Sequence, residues 1–393
     1  MPNLPDNLRA RFELEKHFQI QTARARGLAV ALAVRCALAG ALGCAPVALP
    51  DGERRVALKG ATEQVILPTY QELSARSDEL ASLLDDLVSS PATADLEATR
   101  QAYLDVREPL QEAGAFGFGP AVELHSSAAL DQSPLDTAKL DAELASENEL
   151  TVAQLRKLGA NKRGLHAIEY LLFPAGDADV EAALLADDSS GERRRQFASS
   201  AAQIVAASAS ELLKAWNPEK GGFARRFSEP GAPDSVSGSV QAGLDTLLNE
   251  TVVLTELIAN VKLGKPLGVA TGGKIDPTVQ ESERAGASVT DMLASLRGIR
   301  NIYFGSREGI AEPSLSTLVR AKNAAADVHA RAALVDAEAA LLAMPQPFTD
   351  ALTDSPETVQ AAYDSLKTLK RVLATEVLSS LGASLKFSDN DGD

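Results

Sequence analysis

The chain has 393 residues, of which 45% are hydrophobic and only 4% aromatic, and its formal net charge is −16. This length and apolar content suffice to bury a large core, which excludes a disordered chain and predicts two domains or one long pair of helical bundles. The acidic balance excludes nucleic acid and acidic lipid surfaces as partners, because phosphate recognition requires clustered Lys and Arg.

Residues 1–44 have the pattern of an export signal. Arg24 and Arg26 precede an apolar stretch, and small residues lead to the break after Cys44, as is typical of secretory signals. The residues Ala-Leu-Gly-Cys that end at Cys44 resemble a bacterial lipobox, so cleavage before Cys44 would leave a lipid-modified cysteine. Ala45 follows, where Asp would favour the inner membrane. The sequence therefore predicts a periplasmic outer-membrane lipoprotein held at the membrane only by its lipid anchor, with a cytosolic amphipathic helix as the alternative.

The remaining chain predicts an all-α fold, because Leu and Ala dominate and alternating β-branched runs are scarce. We assign residues 45–62 to a linker, 63–189 to an N-terminal helical domain and 190–393 to a C-terminal helical domain. Pro109 is expected to kink or reset the second helix. Helices are predicted at residues 63–89, from 94 onward, within 134–161, at 161–174, 193–216, 240–261, 281–301, 314–343 and 356–381.

One short segment, residues 161–174, carries the main candidate site. On a helix, His166 and Glu169 stand on one face at i and i+3, and the apolar residues around them predict burial. An imidazole and a carboxylate on adjacent turns can point at one metal ion, as they do in helical-bundle iron sites. A buried hydrogen-bonded pair with a purely structural role is the alternative.

Two other motifs fail as binding sites. Gly268–Lys274 has the spacing of a phosphate-binding loop, but Ile275 replaces the Ser or Thr that holds magnesium, and no hydrophobic strand precedes it. The tail Asp389–Asp393 resembles the start of a calcium loop, but the remaining ligands are missing. We therefore expect neither nucleotide nor calcium at these segments.

The segment GLHAIEYLLF resembles the G-x-H-x-x-E signature of the imelysin family, and further blocks match that family in order. The resemblance spans Ile66 to Asp393. The other matching blocks are ILPTYQEL from Ile66, REPL with GAFGFGP from Arg107, GKPLG from Gly264, ESERAGASVTDMLASLRGIRNIYFG from Glu281 and LGASLKFSDNDGD from Leu381.

The resemblance implies a secreted or lipid-anchored bacterial protein built from two helical-bundle domains packed together, with a pocket at their interface. Members of the family are described as insulin-cleaving membrane peptidases, and others are iron-regulated. Residues carried over by position are Gly164, His166 and Glu169 in the signature and, as candidate pocket wall, Arg107, Glu281, Ser282, Asp391 and Asp393. Departures from the family pattern occur at Gln111 and Gly114, where Glu112 could substitute, and at Ala285.

The leading hypothesis is a cell-envelope protein that binds a metal ion or metal complex at His166 and Glu169. The metal expected is iron, with zinc as the alternative, and the expected process is iron uptake, with iron-transport proteins of the envelope as partners. A second hypothesis is a metal-dependent peptidase in which Glu169 acts as general base on a metal-bound water. A third is a structural or haem-handling partner protein in which the pair only organises the domain interface.

Overall fold

The computed structural model describes residues 51–174 and 179–385, and every regular element within these ranges is helical. The all-α prediction is therefore confirmed. The helices of eight or more residues are α1 Asp51–Ala61, α2 Leu67–Ser89, α3 Thr93–Ala113, α4 Thr137–Ala145, α5 Leu165–Leu172, α6 Ser189–Trp216, α7 Val240–Glu256, α8 Ser288–Phe304, α9 Leu315–Lys322, α10 Ala324–Leu342 and α11 Pro356–Val372.

Short helical pieces connect these elements. Single π-helical stretches extend α1 into α2 at Thr62–Ile66, follow α7 at Leu257–Leu263 and follow α11 at Leu373–Val377. Short α-helices lie at Pro120–Glu123, Ser126–Leu130, Val152–Leu155, Val180–Leu185, Phe223–Ser228, Gly264–Leu267, Phe348–Asp354 and Leu378–Leu381, and 3₁₀ turns at Gly114–Phe116, Ala160–Lys162, Val269–Thr271 and Pro277–Val279.

The linker prediction for residues 45–62 is wrong from Asp51 onward, because this stretch forms α1. Asp51 and Glu53 lie in its first turn, where their negative charges interact favourably with the helix dipole. Leu58 is fully buried. The apolar face of this helix consists of only three buried residues, Ala57, Leu58 and Ala61.

Other predicted helix boundaries also differ from the structure. Pro109 lies inside α3 without ending it, since the helix continues to Ala113. The helix expected from Glu281 begins only at Ser288, after a turn in which Ser282 has a φ of 55°. The helix expected at 314–343 is divided at Asn323, whose side chain accepts a hydrogen bond from the amide of Ala326 and so caps α10.

The described residues, 51–174 and 179–385, belong to one compact unit. Helix α6, which was assigned to the C-terminal domain, packs along α2, which was assigned to the N-terminal domain. The boundary at residues 189 and 190 thus falls between helices that share one core. The two-domain division stays a prediction that the structure does not confirm.

Helices α3 and α8 pack together and position the candidate site. They approach so closely that a Cβ on Gly298 of α8 would overlap the backbone carbonyl of Glu112 on α3. Glycine is therefore required at this crossing, because it lets the two backbones touch. In the described part of the chain, no helix combines the length and the hydropathy needed to cross a bilayer.

Candidate functional site

Helix α5 holds the signature residues. It begins after Gly164, whose φ of 82° favours glycine, and a Cβ there would lie 2.8 Å from the carbonyl oxygen of Leu130. The helix ends before Pro174, which lacks the amide needed to continue it. His166 and Glu169 are both buried, with 7% and 4% of their surface exposed. The sequence thus placed this pair on the correct helix and in the protein interior.

Glu169 has both carboxylate oxygens engaged by protein groups. Its Oε2 lies 3.1 Å from Nδ1 of His166, which donates to it, and its Oε1 accepts the amide of Ala285 at 3.0 Å. The contact at Ala285 uses the backbone, so the departure from the family side chain leaves it intact. Both carboxylate oxygens of Glu169 are thus engaged, and Nε2 is the nitrogen of His166 that Glu169 does not contact.

The other nitrogen of His166 faces Asp131, a residue that the sequence did not single out. Nε2 lies 3.2 Å from Oδ1 of Asp131, but the two atoms are not aligned for a hydrogen bond, and Nε2 is buried without a hydrogen-bond partner. A buried polar atom without a partner is uncommon and calls for a functional explanation. Nε2 of His166 is therefore buried beside a carboxylate oxygen without an aligned hydrogen bond.

Arg107 joins this carboxylate to a second one. Its guanidinium contacts both oxygens of Asp291, with Nε at 3.0 Å from Oδ1 and Nη2 at 2.7 Å from Oδ2. Its Nη1 also donates to Oδ1 of Asp131 at 3.0 Å and to the hydroxyl of Tyr103 at 3.3 Å. We call the five residues Arg107, Asp131, His166, Glu169 and Asp291 the Arg107 cluster.

Two further predicted wall residues lie on the turn before α8. Ser282 donates its hydroxyl to Oδ2 of Asp291 at 2.6 Å, which places it against the Arg107 cluster. Glu281 accepts a hydrogen bond from Nζ of Lys262 at 2.5 Å, and Lys262 also donates to Oε1 of Gln111. Gln111 was noted as a departure from the family pattern, yet its amide donates to Oδ2 of Asp131 at 3.2 Å. The glutamine thus takes part in the site as an uncharged residue.

The electrostatics of the cluster favour the protonated form of His166 and the ionised form of Asp131. Burial alone would lower the pKa of His166, but the charge of Asp131 and the hydrogen bond to Glu169 outweigh burial and raise it above its ordinary value. Burial would raise the pKa of Asp131, but the guanidinium of Arg107 and the imidazole of His166 outweigh it and hold that pKa well below the usual range. The imidazole proton is therefore held by negative neighbours that would equally attract a cation.

Glu112 does not join the Arg107 cluster. It is 1% exposed and pairs with Arg297 at 3.3 Å and with Arg307 at 3.6 Å, beside a cleft of about 510 Å³. Glu112 contacts Arg297 and Arg307, whereas Gln111, its neighbour on α3, contacts Asp131 of the cluster. Glu112 therefore does not supply a carboxylate near His166. Burial raises the pKa of Glu112 to about 7, although the charge of Arg307 opposes this.

This raised pKa predicts a pH-dependent stability. Because the folded pKa of Glu112 is about 7 and the ordinary value is 4.5, its protonation favours the folded state below pH 4.5, and that contribution is lost as the pH rises through 7. Between pH 5 and 7, we expect the unfolding free energy of the wild type to fall by about 2 kcal/mol relative to Glu112→Gln. Urea unfolding across this pH range measures it, with Glu63→Gln, a 54% exposed residue, as control. Parallel pH profiles for the wild type and Glu112→Gln would contradict the assignment.

Three predicted residues lie outside the described ranges: Cys44, Asp391 and Asp393. Within residues 51–174 and 179–385, no group of three or more His, Cys, Asp or Glu side chains is arranged to hold a metal ion. The Gly268–Lys274 segment forms a 3₁₀ turn at Val269–Thr271, and no strand precedes it in the described chain.

The sequence model of the imelysin family, Peptidase M75, matches residues 66–373. The chain belongs to the imelysin family. This imelysin-family chain is 26% identical over 331 residues to iron-regulated protein A of Synechococcus elongatus, covering 82% of this chain and 85% of that protein.

Two solved structures have the same fold as this imelysin-family chain. A candidate iron-regulated protein A precursor from Parabacteroides distasonis superposes with a TM-score of 0.76 at 21% identity, covering 87% of this chain and 98% of the other. An imelysin-like protein from Psychrobacter arcticum superposes with a TM-score of 0.69 at 20% identity, covering 87% of this chain and 100% of the other. At these identities the structures show a common fold.

Proposed function

We propose that this imelysin-family chain is an iron-related protein of the bacterial envelope that binds a metal ion or metal complex at the Arg107 cluster. The observation that carries the proposal is Nε2 of His166, which is buried without a hydrogen-bond partner 3.2 Å from Oδ1 of Asp131. The similarity to iron-regulated protein A of Synechococcus elongatus supports the relation to iron. The export signal at residues 1–44 and the lipobox-like Cys44 support an outer-membrane lipoprotein.

The two facing atoms are spaced as two ligands of one metal ion. Nitrogen and oxygen ligands each lie about 2 Å from a metal such as zinc, so two of them on one ion stand about 3 to 3.5 Å apart. Nε2 of His166 and Oδ1 of Asp131 meet this requirement at 3.2 Å. Glu169 contacts Nδ1, the ring nitrogen that does not face Asp131. A carboxylate at this position typically orients a histidine that binds a metal. The proposed ligand pair is thus His166 and Asp131, in place of His166 and Glu169.

The charge of the cluster also suits a cation. Its three carboxylates, Asp131, Glu169 and Asp291, face one guanidinium, that of Arg107, so the formal sum is −2 with a neutral imidazole and −1 with a protonated one. A metal cation that displaces the proton from Nε2 brings the net charge of the buried cluster closer to zero than a neutral imidazole alone does. Binding would therefore release a proton.

The donor set offered by the protein is incomplete. Two donors leave most coordination positions of the ion to water or to small ligands that arrive with it, which fits a metal complex as well as a hydrated ion. A mixed nitrogen and oxygen set suits iron or zinc. We infer that iron reaches the site during uptake and that envelope iron-transport proteins are its partners.

The peptidase hypothesis receives less support from the geometry. A general base needs a free carboxylate oxygen within hydrogen-bond reach of the water that it activates. In Glu169, Oε2 binds the imidazole and Oε1 binds the amide of Ala285. For this reason we favour binding over catalysis as the function of the cluster.

Affinity measurements on the full-length chain test the proposal. We expect His166→Ala and Asp131→Asn to weaken binding of Fe²⁺, measured anaerobically, and of Zn²⁺ by more than about 100-fold, and Glu169→Gln to weaken it by about 10-fold. The matched control is His329→Ala, because His329 also contacts a glutamate, Glu376 at 2.6 Å, but on the surface.

The outcomes separate the hypotheses. Equal affinity in the wild type and His166→Ala would refute the metal proposal. A larger loss of metal affinity in Glu169→Gln than in Asp131→Asn would indicate that Glu169 binds the metal directly. A large fall of the melting temperature in His166→Ala, with no saturable metal binding by the wild type, would support the structural role instead.

A further inference from the structure

A cavity of about 300 Å³ lies apart from the Arg107 cluster, between α2, α3 and the two short helices that follow α3. We call it the α2–α3 cavity. No Asp, Glu, Lys or Arg of the described chain lines it. Its apolar wall includes Leu73, Leu110, Ala113, Leu130 and Leu212.

The two buried polar side chains of this wall, Tyr70 and Ser126, already have protein partners, and the other two polar lining residues, His125 and Ser127, are exposed to solvent. The hydroxyl of Tyr70 donates to the carbonyl oxygen of Phe116 at 3.3 Å, and the hydroxyl of Ser126 donates to the carbonyl oxygen of Ala121 at 3.0 Å. These groups therefore do not require a polar occupant. An occupant that offered charge or many hydrogen-bonding groups would lose its hydration without replacement.

The wall of the cavity at Gly117 has one carboxyl group behind it. Behind Gly117, the carboxyl of Glu250 lies 3.9 Å from the position that a Cβ would take, and burial raises its pKa to about 7. Burial raises the pKa of a carboxyl group because the ionised form loses its contact with water. The opposite edge is open, because the lining residue Val122 is 62% exposed. The cavity thus combines an apolar interior with a route from solvent.

We propose that the α2–α3 cavity binds a small uncharged apolar molecule, between an aromatic ring and a short acyl chain in size. A cavity of about 150 Å³ suffices for benzene, and ligand pockets for small molecules begin at about 300 Å³. The volume is too small for a helix or peptide segment. The site is distinct from the Arg107 cluster and does not depend on metal binding there.

Leu130 lies between the cavity and the Arg107 cluster. It lines the cavity, its carbonyl oxygen packs against Gly164, and the next residue is Asp131. An occupant therefore contacts the chain segment that carries Asp131. The cavity and the cluster are neighbouring sites that share one stretch of backbone.

Quenching of tryptophan fluorescence by bromobenzene tests the inference on the full-length chain. Trp216 is the single tryptophan, and its ring lies 5.6 Å from that of Tyr70, which lines the cavity. A bromine atom bound in the cavity is thus close enough to quench it. We expect saturable quenching in the wild type and an apparent Kd at least tenfold higher in Ala128→Phe, which fills the cavity.

Three further variants make the result decisive. Ala121→Leu fills the cavity with fewer added atoms and is expected to weaken binding in the same direction, which keeps the test valid if the phenylalanine disturbs the fold. Ala153→Phe, on an exposed residue of a short helix, and His329→Ala, on the surface, are expected to bind bromobenzene like the wild type. Quenching that does not saturate in the wild type, or that is equal in the wild type and both filled variants, would overturn the proposal.

Discussion

Replacing Arg107 with methionine is expected to lower the free energy of unfolding by about 3 to 5 kcal/mol. The side chain is 1% exposed and compensates the charges of Asp291 and Asp131, at 2.7 Å and 3.0 Å. Methionine fills much of the space but leaves both carboxylates without their guanidinium. An unpaired buried charge costs far more than the pair itself contributes.

Urea unfolding at pH 7 measures this loss, and Arg76→Met is the matched control. Arg76 also pairs with a carboxylate, Glu79 at 3.3 Å, but its side chain is 41% exposed. Exposed pairs contribute at most about 1 kcal/mol, so the control should change stability little. A loss in Arg107→Met no larger than in the control would show that Asp131 and Asp291 are compensated by other groups.

Replacing Gly298 with alanine is expected to lower the free energy of unfolding by about 2 to 3 kcal/mol. The added methyl group would overlap the carbonyl of Glu112, a backbone atom within α3 that cannot rotate away. Helices α3 and α8 must therefore separate, and the hydrogen bonds between Arg107 and Asp291 lengthen. The variant is expected to lose metal affinity together with stability.

Gly60→Ala is the matched control for this change. Gly60 lies in α1, and a Cβ added there would meet no atom within 4 Å. Alanine restricts the unfolded chain and favours a helix, so this variant should gain about 0.5 to 1 kcal/mol. Thermal and urea unfolding of both variants should thus give shifts of opposite sign. A shift of the same sign in both would contradict the close approach at Gly298.

The sequence predicted the features that depend on local spacing. The pair His166 and Glu169 shares a helix face because residues three apart always do, and apolar neighbours on the remaining faces predicted its burial. The family blocks further indicated Arg107 and Ser282, which the structure places at the same cluster. Helical periodicity and the order of the family blocks were therefore sufficient to predict these residues as part of the candidate site.

Asp131 and Asp291 were not predicted from the sequence, because their partners are distant in the chain. One signal was present but not used: Arg107 and Gln111 stand at i and i+4 on α3, and Asp291 and Ser295 stand at i and i+4 on α8. Arg107 contacts Asp291, and Gln111 contacts Ser295, whose Oγ lies 3.3 Å from Oε1 of Gln111. Asp131, at the end of a short helix, carried no such pattern.

The predicted start of α8 is wrong for a different reason, and the predicted domain boundary is not confirmed. Ser282 takes a positive φ, which its residue type does not predict, so a helix was expected from Glu281. The division at residues 189 and 190 followed a polar connector, although α6 buries its apolar face against α2. Which helices share a core is decided by packing between distant segments, and composition alone does not specify it.

The contact between Arg107 and Asp291 joins positions that are 184 residues apart in the chain. Closing so long a loop costs conformational entropy, which the packing of α8 on α3 must offset. Until α8 docks on α3, Arg107 has no carboxylate from the C-terminal half of the chain to hold it. The arrangement of the Arg107 cluster therefore arises only when the distant segments that carry α3 and α8 have come together.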